Sequence, residues 1–123
     1  MNALFDAVKD GDVNTLRTII ANGVDLDVLD GEGFTALMLA AERGQADCVR
    51  LLIDARAGLD TQEHSHGYTA LIWAAMSGRT DCVRLLIDAK ANLEIPARYG
   101  SNAFLLATAS GQPECAQMLM DAR

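Results

Sequence analysis

The stretch Gly67-Tyr-Thr-Ala-Leu-Ile-Trp-Ala-Ala75 decides how this chain is read, because the chain writes it more than once. An earlier copy is Gly33-Phe-Thr-Ala-Leu-Met-Leu-Ala-Ala41, and a worn later copy is Gly100-Ser-Asn-Ala-Phe-Leu-Leu-Ala-Thr108. Each copy runs on to a glycine, at Gly44, Gly78 or Gly111. A shorter first copy starts at Asn2 and ends at Gly11. The four glycines are 33, 34 and 33 positions apart. A fixed period of this length outranks any local reading, because each period is one supersecondary unit that buries its apolar face against the next.

A second apolar pattern follows each glycine. It runs Val13, Leu16, Ile19, Ile20, then Cys48, Val49, Leu51, Leu52, Ile53, and its later copies centre on Cys82 and Cys115. Steps of three and four residues are helical. Each unit therefore reads as helix, turn, helix, loop. Thr35 and Thr69 precede the first helices, where a hydroxyl accepts a free backbone N–H. The glycine after each first helix suits the left-handed residue that ends it. Pro113 opens the last second helix, where its missing N–H costs little. The alanine pairs Ala40-Ala41 and Ala74-Ala75 let neighbouring units approach closely, and stacked units bury faces that a lone helix pair would leave wet.

These residues resemble the ankyrin repeat, whose usual form is Gly-x-Thr-Pro-Leu-His-x-Ala-Ala, then Gly, a Leu-Leu pair and Gly-Ala-Asp-x-Asn. The resemblance covers essentially all of residues 1–123 as one domain of four units, at about 1–29, 30–62, 63–95 and 96–123. It implies an all-α solenoid of stacked helix-turn-helix units with short β-hairpin loops. The departures are consistent from unit to unit. The family proline is Ala36, Ala70 or Ala103, and the family histidine is Phe5, Met38, Ile72 or Leu105. The third unit carries one extra residue in Glu63-His64-Ser65-His66, which displaces that loop tip. Asn2 and Asp6 make the first unit a polar end cap, as a solenoid end requires. At the other end two readings stand: Met118 to Met120 point inward, or the stack continues.

Composition narrows the partners. The net charge of −7 argues against nucleic acid, which needs a cationic face, and against an anionic lipid surface. No apolar run reaches the roughly 18 residues of a membrane span, and the N-terminus lacks a signal-peptide pattern. Cys48, Cys82 and Cys115 hold one repeat position, too far apart for a disulfide or a shared zinc, so they read as reduced core thiols of a cytoplasmic or nuclear protein. His64 and His66 read as a solvated loop or a partner contact. Trp73, the single tryptophan, is either core or a groove anchor. Arg50 and Arg84, each four residues before Asp54 or Asp88, read as ion pairs on a solvated outer face. No nucleophile–base set, phosphate loop or metal motif converges, so neither an enzyme nor a cofactor is expected.

In the family that the chain resembles, partners lie in the concave groove between loop tips and first helices. Carried over by position, the groove residues are Glu32 and Phe34, His66 and Tyr68, and Arg98, Tyr99 and Ser101 at the tips. On the helices they are Glu42, Arg43, Met76 and Ser77. Nothing about folding calls for the aromatics Phe34, Tyr68 and Tyr99 there, and such rings are common interface anchors. The expected function is a non-enzymatic protein-binding module, monomeric, with a protein partner. The alternative is a structural segment of a longer array or a scaffold-type protein with no partner of its own.

Overall fold

The structure, a computed structural model, describes residues 2–123. Every first helix starts where a side-chain oxygen takes up an unpaired N–H. Asn2, Thr35, Thr69 and Asn102 accept from Leu4, Met38, Ile72 and Leu105, and start α1 (Ala3–Asp10), α3 (Ala36–Arg43), α5 (Ala70–Met76) and α7 (Ala103–Ala109). Ala36, Ala70 and Ala103 thus occupy the first helical position, where the family proline would only pre-set φ. Each helix gives way to its glycine in the left-handed region, with φ of 67° at Gly11, 73° at Gly44, 71° at Gly78 and 72° at Gly111. A side chain there is strained, and the chain turns back at once into α2 (Val13–Ala21), α4 (Ala46–Asp54), α6 (Thr80–Asp88) and α8 (Pro113–Ala122).

The eight helices form two layers. α1, α3, α5 and α7 pack in succession, and α2, α4, α6 and α8 pack behind them. The alanines set the spacing: Ala40, Ala41, Ala74, Ala75 and Ala107 are completely buried between neighbours. Leu16, Val49, Leu52, Val83, Leu86 and Leu119 close the core from the second layer. Cys48, Cys82 and Cys115 are free thiols in that core, and burial pushes all three up, Cys82 to about 11.

One contact recurs between units. The residue after Gly44, Gly78 and Gly111 reaches back over the glycine of the preceding unit. Arg79 Nε donates to the Glu42 carbonyl at 3.0 Å, and Gln112 Nε2 donates to the Met76 carbonyl at 3.3 Å. A Cβ built on Gly11, Gly44 or Gly78 would stand 2.8, 2.9 or 2.5 Å from Gln45, Arg79 or Gln112 respectively. These glycines are therefore required twice, by φ and by the side chain lying on them. On the loop side, Asp27 accepts the Gly58 N–H and Asp60 accepts the Asn92 N–H, each from the next unit.

The hairpin expectation needs correction. Among the described residues there is no strand. Each loop tip is a turn closed by two main-chain bonds: Asp30 N–H to the Phe34 carbonyl with Gly33 N–H to the Asp30 carbonyl, Glu63 to Tyr68 with Gly67 to Glu63, and Ala97 to Ser101 with Gly100 to Ala97. Three or four residues lie between each closing pair, and no ladder extends beyond it.

Candidate functional site

The loop tips are held by carboxylates. Asp30 Oδ1 accepts the Glu32 and Phe34 N–H groups and so shapes the first tip. The second tip is one residue longer, and Glu63 supplies one more methylene in its place. Its carboxylate is fully buried and accepts from the N–H groups of Ser65, His66 and Tyr68, at 2.7, 2.8 and 3.3 Å. His66 Nδ1 lies 3.1 Å from the same carboxylate. Burial raises the Glu63 pKa, but the three N–H donors and His66 outweigh it and hold the group below the ordinary carboxylate range. The longer loop is therefore ordered around its own acid, and the sequence-level expectation of a displaced tip becomes a built one. The third tip, at Ala97, has no carboxylate. It leans on the second: Arg98 donates its N–H to the His66 carbonyl at 2.8 Å and its guanidinium to the His64 carbonyl.

On this frame stands an aromatic cluster. Trp73, on α5, is half-buried, and its ring packs against Phe34 and Tyr68, each with centroids 5.1 Å apart. His66 stacks on Tyr68 at 4.8 Å and meets Trp73 edge-on at 6.3 Å. Each such pair is worth about 0.5–1.5 kcal/mol beyond area burial. The Trp73 Nε1 is buried without a hydrogen-bond partner among the described residues. Trp73 is thus neither plain core nor an isolated anchor; it is the hub that joins two loop tips to a first helix. The sequence hinted at this only through an indole where the neighbouring units carry Leu39 and Leu106.

The expected groove residues fall into two sets. Glu32, Phe34 and His66 line an open cavity of about 570 Å³ together with Trp73, Glu63, His64 and Ser65. Glu32, Phe34, Glu42 and Arg43 share a smaller cavity of about 190 Å³ with Lys9, Asp30 and Leu39. Tyr68 joins the first set through its stacking on His66. The second set lies outside these cavities. Tyr99 projects freely, 93 % exposed, and Arg98 and Ser101 belong to the same third tip. Met76 and Ser77 are half-buried at the end of α5, where the Met76 carbonyl is engaged by Gln112. None of the eleven is buried. Glu63 and Leu39, absent from the expected set, belong beside them, as does Trp73, expected as either core or groove anchor.

The outer-face expectation is corrected. Arg50, Asp54, Arg84 and Asp88 are all exposed, but among the described residues neither pair closes to within ion-pair distance. An arginine placed four residues before an aspartate is the weaker order. Holding two long side chains together in water gains too little to offset their lost freedom.

Comparison with known proteins gives one consistent answer. The family model described as ankyrin repeats (3 copies) matches residues 4–97 and 61–123. The chain is 41 % identical over 59 residues to the putative ankyrin repeat protein YahD of Escherichia coli, covering 48 % of this chain and 29 % of that protein. It is 40 % identical over 62 residues to human ankyrin repeat domain-containing protein 29, covering 50 % of this chain and 21 % of that one. It is 41 % identical over 64 residues to human M-phase phosphoprotein 8, covering 50 % of this chain and 7 % of that protein. The matched stretches are thus about half of this chain and less than a third of each relative.

Proposed function

This chain belongs to the ankyrin repeat family, and from that premise we propose that it is a non-enzymatic module that binds a partner protein along its loop tips and first helices. Repeats of this family are generally protein–protein interaction modules. The observation that carries the reading is the partly exposed cluster of Phe34, His66, Tyr68 and Trp73, of which Phe34, His66 and Trp73 line a cavity of about 570 Å³ at the junction of two tips. Rings held rigid by a buried carboxylate and by one another lose little freedom on binding, so more of the contact energy survives as affinity. Glu32 lines this cavity, Glu42 and Arg43 line the smaller one that it shares, and Arg98 stands at the third tip, a mix of charges that suits a protein surface better than a uniformly charged ligand. Among the described residues no helix is long and apolar enough to cross a membrane.

The test is affinity capture from a lysate of the protein's own cells with three immobilised chains. These are the wild type, Glu32→Lys/Tyr99→Ala, and the outer-face control Arg84→Glu/Asp88→Lys. All four altered side chains are exposed, so folding is spared. The reading expects a protein that the wild type and the control retain and the tip variant loses. Equal retention by the tip variant, or loss only with the outer-face control, would remove the groove as the site.

A further inference from the structure

The cavity of about 570 Å³ between the first two loop tips is aromatic and acidic at once. Phe34, His66 and Trp73 give it ring surface, and Glu32 and Glu63 give it carboxylates. Among the described residues no lysine or arginine lines it. Glu32 is exposed, and among those residues its carboxylate closes no ion pair. The nearby cations are placed elsewhere. Arg98 turns its guanidinium to the His64 carbonyl, and Arg43 lines the adjoining cavity without reaching ion-pair distance of an acid. We propose that this cavity receives an arginine side chain of the partner protein, its guanidinium laid on the Phe34 and Trp73 rings and paired with Glu32. The inference rests on the groove reading and names the side chain that the groove takes.

Charge selects a cation. Glu63 is fully buried and held ionised by the N–H groups of Ser65, His66 and Tyr68. A buried charge is screened less than a surface one, so its field acts on the cavity beside it. The indole adds no opposing donor, because Trp73 Nε1 is itself buried. The net charge of −7 draws a basic segment towards the chain as a whole. Shape then selects arginine among the cations. Phe34 and Tyr68 each pack on Trp73 with centroids 5.1 Å apart, so no group fits between the rings. They form one wall instead of a box, which suits a flat ion better than the round head of a methylated ammonium. A guanidinium is planar and weakly hydrated, and it stacks on ring faces while its N–H groups reach a carboxylate in their plane. A lysine ammonium is strongly hydrated and gains less from such a wall.

Trp73 is the single tryptophan, so its fluorescence reports on the cavity directly. The probes are three capped tripeptides with glycine on either side of arginine, lysine or citrulline, the last being the uncharged isostere of arginine. At constant low ionic strength the arginine peptide is expected to change the emission saturably, with half-saturation at about 1–10 mM. The citrulline peptide should bind about tenfold more weakly, and the lysine peptide should fall between the two. Glu32→Gln should weaken arginine binding about threefold or more. Asp88→Asn removes the same charge from the outer face and should leave binding unchanged. Both altered side chains are exposed, so folding is spared. No saturable response, an equal response to arginine and citrulline, a preference for lysine, or equal weakening by the two variants would each overturn the assignment. None of these outcomes touches the groove itself, which stands or falls on capture by the tip variant.

Discussion

Arg56 and Lys90 hold φ of 69° and 71°, a left-handed backbone that ordinary residues adopt at a cost of about 1–2 kcal/mol. Gly23 holds the same repeat position at 76°, with open space where a Cβ would be. The cations gain a little at the ends of α4 and α6 from the negative helix terminus. Replacing them with glycine removes the strain but loosens the unfolded chain. Arg56→Gly and Lys90→Gly should each stabilise the fold by about 0.5–1 kcal/mol, read as a higher urea midpoint at unchanged slope. A loss of stability would mean that the side chains hold the loop. Glu63 is the residue whose titration matters most. Its folded carboxyl lies below its ordinary value of 4.5, so its contribution is complete above that value and is lost as pH falls through the lowered one. The Tm gap between wild type and Glu63→Gln should therefore hold steady from about pH 7 to pH 5 and close towards pH 3. A gap that does not vary with pH would show that the charge is not what orders the tip.

At the scale of the element, each helix pair is one capped first helix, one left-handed glycine and one side chain thrown across to the neighbour. Thr69→Ala removes the acceptor for the Ile72 N–H and should cost about 1 kcal/mol. The glycines offer a sharper comparison. Gly78→Ala meets both the φ penalty and the Gln112 amide, so it should cost about 1 kcal/mol for the backbone and about 1 more for the disturbed bond to Met76. Gly111→Ala has the same φ but open space, and should cost only the first part. Denaturant unfolding of both variants checks this; equal costs would mean that the inter-unit side chain contributes nothing.

For the whole molecule, the stack is a row of nearest-neighbour contacts, so protection should follow position in the row. α3 to α6 are covered on both sides, α1 and α2 end in a polar cap, and α7 and α8 have an open outer face. Native-state hydrogen exchange should find the slowest amides in α3 to α6 and earlier opening in α7 and α8. Uniform exchange across all eight helices would mean that the stack opens only as a whole.

The period and the motif that it repeats determined the family, the eight-helix plan and the Thr35 and Thr69 caps, since spacing, Thr at N-caps and Gly after first helices are properties of local chain geometry; Asn2 and Asn102 were recognised as caps only from the structure. The aromatics at the tips were visible for the same reason: their positions follow from register. What the tertiary structure decided lies between units. The burial of Glu63, the gathering of Phe34, His66 and Tyr68 around Trp73, and the reach of Arg79 and Gln112 over the preceding glycine all join residues about one period apart or folded together by a loop. Their partners are fixed by how closely alanine-faced helices approach, which no single unit specifies. The failed Arg–Asp pairs teach the converse. Spacing brought those charges within reach, and water and side-chain entropy decided that they stay apart.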